Sequence, residues 1–124
     1  MQLSIELFVN APEISIEFYR RTLGFEVSGE ASSGYTKLVK GDAVISLNNR
    51  NALSADHPLN NRPNERSGIG VEIVLNTADI DAAYTIAQNS GWPTSELALR
   101  PWGLYDFRLA DPDGYYLRVT SLRG

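Results

Sequence analysis

Apolar and polar positions alternate from Leu3 to Val9, with Ile5, Leu7 and Val9 on one side and Ser4, Glu6 and Phe8 on the other. That two-residue period predicts a strand with one buried face. The period then lengthens. Ile16, Tyr19 and Leu23 recur at helical spacing, Ile14 and Phe18 widen the stripe, Pro12 suits a first turn and Gly24 a C-terminal stop. Three short strand-like runs follow at Phe25 to Ser28, Tyr35 to Val39 and Ala43 to Asn48, with Ser33-Gly34 and Gly41-Asp42 as turns between them.

From about Gly68 the same order repeats. Val71, Ile73 and Leu75 alternate as Ile5, Leu7 and Val9 do, and Ile80, Ala83, Tyr84 and Ala87 mark a helix capped by Thr77 or Asp79 and stopped by Gly91. Runs at Ser95 to Leu99, Tyr105 to Ala110 and Tyr115 to Ser121 close the chain, the last two joined by a turn at Asp111-Pro112-Asp113-Gly114. A duplicated strand, helix, three-strand unit is the main inference from pattern alone. It predicts an α+β fold of tandem βαβββ modules forming a curled mixed sheet with a cleft. Module one spans 1–49, a linker 50–67, and module two 68–124, within one domain. The linker is polar, holds Pro58 and Pro63, and is longer than most connections inside compact domains; a solvated crossover is the first reading and a lid the second.

If the apolar strand residues pack beneath the helices, the intervening ones share the opposite face. These are Ser4, Glu6, Phe8, Val44, Ser46, Asn48, Glu72, Val74, Tyr116, Arg118 and Thr120. A wet sheet face needs no function, but two such faces related by pseudo-symmetry tend to enclose a cleft.

Composition narrows the function. The 124 residues carry a formal charge of −4 and are 43% hydrophobic, enough for one ordinary core. There is no cysteine, which removes disulfides, thiolate metal sites and cysteine nucleophiles. No basic stripe is present, so nucleic acid is not expected as a partner. The N-terminal residues lack a leader pattern and no apolar run approaches the roughly 20 residues of a membrane helix, so no membrane association and a cytoplasmic location are expected. The single histidine, His57, lies in the linker and is expected to be a solvated loop residue. Asp111 and Asp113 are expected to bond the local backbone of their turn rather than act as acid and base. No nucleophile elbow or phosphate-cradling glycine motif is present.

ISIEFYRRTLGF and LADPDGYYLRVTSL resemble the first-helix and closing-hairpin motifs of the vicinal-oxygen-chelate superfamily, which includes glyoxalases, bleomycin-resistance proteins and extradiol dioxygenases. The resemblance extends over essentially the whole chain. Its enzymes hold a divalent metal with His and Glu side chains from the first and last strands of each module. The corresponding positions here are Ser4, Ser46, Glu72 and Arg118, of which only Glu72 is of a residue type that binds a metal, and the Arg118 cation opposes one. The resemblance therefore implies a metal-free site with no cofactor. PWGLYDFRLADPDG is similar to the same stretch in bleomycin-resistance-like members, which sequester a drug at a dimer interface; a homodimer is implied in the same way.

The expected activity is binding of a planar or anionic small molecule. Arg118 could take a carboxylate or phosphate or pair with Glu72 or Glu6, and Ser4, Ser46, Asn48 and Thr120 could orient the ligand. Trp102, Tyr105, Phe8 and Tyr116 could stack against it, or Trp102 could cover a sheet edge. A divergent lyase, isomerase or dioxygenase-type enzyme with Glu72 or Glu6 as general base is the alternative, and a protein-interaction module without ligand the third reading.

Overall fold

In the computed structural model, which describes residues 1–30 and 34–122, eight strands and two helices follow the duplicated order. Module one runs β1 (Ile5–Val9), α1 (Pro12–Leu23), β2 (Glu26–Ser28), β3 (Tyr35–Lys40) and β4 (Ala43–Asn49). A single 3-10 turn at Arg50–Ala52 opens the linker. Module two runs β5 (Glu72–Thr77), α2 (Ile80–Ser90), β6 (Ala98–Leu99), β7 (Tyr105–Ala110) and β8 (Tyr116–Ser121). The Ser33 end of the first expected turn, and residues 123–124, lie outside the described residues.

The strands form two four-stranded mixed sheets, ordered β1-β4-β3-β2 and β5-β8-β7-β6. In each, the last strand returns parallel to the first and the other neighbours are antiparallel. The parallel pair is possible because a helix and two strands intervene, ample chain for a crossover. The sheets remain separate, with β1 and β5 as free edges on either side of a groove.

The pleat sorts the residues as the alternation requires. Leu7, Val9, Leu38, Ile45, Leu47, Ile73, Phe107, Leu109, Leu117 and Val119 are buried against Phe18, Tyr19, Leu23 and Ala87 of the helices, in one core shared by both modules. Pro12 starts α1 and Gly24 ends it at φ 77°, where Gly24 N–H donates to Arg20 C=O and Phe25 N–H to Tyr19 C=O. That left-handed cap is available to glycine without Cβ strain. Asp79, one of the two expected caps, accepts from Ala82 N–H at 3.0 Å to start α2.

Four details differ from the expected pattern. Ile14 is exposed, and the inward position beside it is Ser15, fully buried with its hydroxyl 3.4 Å from Asp113; the helix face is turned toward the second module's hairpin. Leu3 and Ser4 precede β1 and are exposed, and Val71 precedes β5 on the open rim. The sixth strand is reduced to Ala98–Leu99. Ser95 meets β7 through a local exchange instead, its N–H donating to Arg108 C=O and its Oγ accepting from Arg108 N–H.

The Asp111-Pro112-Asp113-Gly114 turn joins the modules as well as the strands. Asp111 Oδ1 accepts from the N–H groups of Asp113 and Tyr115, as the local reading expects, while Oδ2 accepts from the Tyr19 hydroxyl of α1 at 2.8 Å. Asp113 Oδ1 accepts from Asn10 N–H at 2.9 Å, just beyond β1. Tyr115 donates its hydroxyl to Phe8 C=O. Arg50 completes the joint: its guanidinium donates to Asn10, Phe8 C=O, Asn61 and Ser67, and Asp113 lies 3.8 Å away. The linker is thereby tied down at both ends, with Arg66 donating to Gly114 C=O and Ser67 N–H to Asp113 C=O.

Candidate functional site

Each module presents its non-helical face separately. On module one, Glu6, Ser46 and Asn48 form a hydrogen-bonded set with Tyr35: Asn48 Nδ2 donates to Glu6 Oε1 at 3.2 Å, and the Ser46 and Tyr35 hydroxyls are 2.9 Å apart. Phe8 stands beside Asn48 in the β1–β4 register. Glu6 and Phe8 also line the groove between the sheets, a cavity of about 630 Å³ walled by Ile5, Leu7, Val71, Ile73, Leu75 and Tyr115.

On module two, a second, more open cavity of about 820 Å³ lies over the sheet. Glu72, Val74 and Asn76 come from β5, Arg118 and Thr120 from β8, Arg108 from β7, and Trp102 with Leu104 from the connection before β7. Trp102 is placed by a tight turn in which Gly103 N–H donates to Arg100 C=O and Arg100 N–H to Leu104 C=O. Its indole is half-exposed, an aromatic wall at the cavity edge. Arg118 Nε donates to Glu72 Oε1 at 3.1 Å, one of the two pairings expected for this arginine.

Of the ten expected ligand contacts, this cavity gathers Glu72, Trp102 and Arg118. Tyr116 lies on the same face and touches Arg108. Glu6, Phe8, Ser46 and Asn48 belong to the module-one face and the groove. Ser4 is exposed ahead of β1 and lines neither cavity. Tyr105 alternates onto the Phe107–Leu109 side of β7, away from the cavity. His57 stays in the linker, where Nδ1 accepts from Leu59 N–H.

Sequence reasoning overlooked Arg100, Asp106 and Arg108. Asp106 is fully buried beneath the cavity, its Oδ1 accepting from Arg100 Nε at 2.8 Å and its Oδ2 lying 3.5 Å from an Arg108 terminal nitrogen. Asp106 Oδ2 and Arg108 Nε are buried without a hydrogen bond. Burial works against the charge on Arg108, but its bond to Tyr116 and the Asp106 carboxylate outweigh that and hold its pKa above the ordinary arginine value. The register places Arg108 directly opposite Arg118 on the same face. The signal was present in the sequence, since Asp106 and Arg108 alternate with Phe107 and Leu109 within β7.

Two helices and eight strands in duplicated order among the described residues, with a separate polar face on each module, define a particular class of small-domain architecture. The profile of the Glyoxalase/Bleomycin resistance protein/Dioxygenase superfamily matches residues 2–119, and the chain belongs to that superfamily. Among solved structures, a bleomycin-binding protein complexed with bleomycin superposes with a TM-score of 0.73 at 22% identity, covering 99% of each chain. TioX from Micromonospora sp. ML1 gives 0.72 at 16% identity, covering 100% of this chain and 98% of its own. A lactoylglutathione lyase from Agrobacterium tumefaciens gives 0.69 at 17% identity, covering 98% and 92%. At these identities the likeness is one of fold. Comparison with curated protein sequences gave no match.

The metal that this superfamily's enzymes use does not fit the residues present. Of the four corresponding positions, Ser4 is outside the cavity, Ser46 is bonded to Tyr35, and the Glu72 carboxylate is engaged by the Arg118 guanidinium. Among the described residues no three His, Cys, Asp or Glu side chains come together as a metal-holding group. A divalent cation would meet one carboxylate beside two fixed positive charges. No helix among the described residues is long and apolar enough to cross a membrane.

Proposed function

We propose that this protein is a metal-independent small-molecule-binding protein, of the bleomycin-resistance-like kind rather than the catalytic kind, and that it holds a planar or anionic ligand. The observation that carries this reading is the cavity of about 820 Å³ in which Trp102, Arg118 and Glu72 meet. Its volume is within the range of small-molecule sites, and an aromatic wall beside a few fixed polar groups is how such sites orient flat ligands. Both candidate bases already have partners, Glu72 in Arg118 and Glu6 in Asn48, which favours binding over proton abstraction.

The proposal extends to a cytoplasmic homodimer. The groove between the free edges of β1 and β5 has exposed Leu3, Leu59 and Val71 on its rim, and contiguous apolar rims of this kind suit a second copy. Light scattering that gives a monomer at all concentrations removes the dimer from the reading.

A thermal-shift screen of planar antibiotics and small aromatic carboxylates tests the binding function, because a ligand of the folded state raises its melting temperature. At least one stabiliser is expected, its effect abolished by Trp102→Ala. Stabilisers that all act unchanged on that variant place binding elsewhere. Stoichiometric nickel, zinc, iron or manganese in chelator-free protein overturns the metal-independent part.

A further inference from the structure

The charges beneath the module-two cavity do not balance. Arg118 is matched by Glu72, one cation to one carboxylate. Asp106 has to serve both Arg100 and Arg108. It is closer to Arg100, at 2.8 Å against 3.5 Å, so the surplus positive charge rests on Arg108. The Arg108 contact is also incompletely bonded: Asp106 Oδ2 and Arg108 Nε are both buried and lack hydrogen bonds. Buried polar atoms normally find partners, so the single 3.5 Å contact leaves Arg108 only loosely neutralised by Asp106.

The strand register adds a second, independent sign. Arg108 faces Arg118 across the β7–β8 pair, on the same side of the sheet and lining the same cavity. Like charges directly opposite one another destabilise a sheet. An anion seated between them would relieve that repulsion and give the exposed part of the Arg108 guanidinium, which is already bonded to Tyr116 and paired with Asp106, a further acceptor. A carboxylate suits a guanidinium fork because two parallel N–H···O bonds form at once. Trp102 closes the same cavity with an exposed indole, so the body attached to the anion is flat and aromatic.

We infer that Arg108 is the anion-recognising residue of this cavity and that its ligand class is a planar aromatic monocarboxylate. This rests on the binding reading above and narrows it. Arg118, neutralised by Glu72, is a secondary contact, and Asp106 with Arg100 positions the Arg108 side chain from below.

The experiment is calorimetric titration of the full chain, at low ionic strength, with three probes sharing one ring system: 1-naphthoate, 1-naphthalenemethanol and 1-naphthylmethylammonium. Naphthoate is expected to bind at least tenfold more tightly than the alcohol, and the ammonium more weakly than either. Arg108→Gln, checked for folding by circular dichroism, is expected to abolish the preference, so that naphthoate and the alcohol bind that variant with affinities within about twofold of each other. Arg108→Lys keeps the charge but not the fork and should retain part of the preference. If the alcohol or ammonium binds as well as naphthoate, the anion assignment fails and the binding reading survives. If naphthoate is preferred but Arg108→Gln keeps the preference, Arg108 is not the receptor. If none of the three binds at millimolar concentration, the aromatic-carboxylate assignment fails, and the binding reading is decided by the thermal-shift screen.

Discussion

Asp111→Asn should change how the stability of this protein depends on pH, by an amount the inter-module joint fixes. The Asp111 carboxyl is buried where the closing hairpin meets α1, and burial raises its pKa to about 6; three hydrogen bonds, from Tyr19 and the Tyr115 and Asp113 N–H groups, oppose that rise without cancelling it, and the nearby Asp113 charge adds to it. In the unfolded chain an aspartate titrates near 3.9. Between roughly pH 4 and 6 the folded state therefore binds more protons than the unfolded state, and stability falls as pH rises through that window. About two pKa units at 1.36 kcal/mol each amount to roughly 3 kcal/mol, present below pH 4 and lost above pH 6. Asparagine is nearly isosteric: its Oδ1 can accept both backbone N–H groups, and its Nδ2 can donate to the Tyr19 hydroxyl oxygen, so the bonds persist without a titrating charge. Urea melts of wild type and Asp111→Asn at pH 4, 5, 6 and 7.5 give the stability difference at each pH, from which other titrating groups largely cancel. That difference should move against the wild type by about 3 kcal/mol from the lowest pH to the highest. A pH-independent difference, or one that moves in favour of the wild type, refutes the reasoning.

Three further substitutions test other parts of the structure. Gly114→Ala should lose at least about 2 kcal/mol in denaturant melts, since φ is 93° there and a Cβ would lie 2.7 Å from Arg66 Cβ. Arg50→Ala breaks the joint between β1, the linker and the hairpin; a loss of roughly 2–4 kcal/mol and faster proteolysis within residues 51–66 are expected, and unchanged linker cleavage would deny Arg50 that role. Trp102→Ala should leave stability within about 0.5 kcal/mol, as expected for a half-exposed side chain away from the core, while removing whatever stabiliser the thermal-shift screen finds.

Much of the candidate site was legible because a strand's two-residue period assigns faces without knowledge of the fold. That alternation marks Glu72 and Arg118, the PWGLYDFRLADPDG segment marks Trp102, and the structure gathers all three around one cavity. Asp106 and Arg108 obey the same alternation within β7. Their importance, however, lies in what stands across the sheet and beneath it. Arg100 reaches Asp106 from outside the strand and Arg118 faces Arg108 from the next one, relations that register and turn geometry create. Tyr105 is the reverse case: an aromatic in a promising segment that the pleat directs to the other face.

The helix shows the same division. Spacing located α1 and its glycine stop, but not which edge of its stripe turns inward. Ile14 is exposed and Ser15 buried because the hairpin, ninety-eight residues further along, supplies Asp113 as a partner for the Ser15 hydroxyl. Local chemistry alone would place Asp111 and Asp113 in a turn; only the docking of the two modules makes them a joint.

By itself, the sequence determined the duplication, the strand and helix order and the face of most strand residues, Tyr105 being an exception, because these depend on periodicities of 2 and 3.6 and on turn residues acting over a few positions. The tertiary structure decided that the sheets stay separate, that each module keeps its own polar face, and that three arginines share two carboxylates under one cavity. Those outcomes depend on register and long-range packing, which bring together charges whose separation along the chain carries no mark of their meeting.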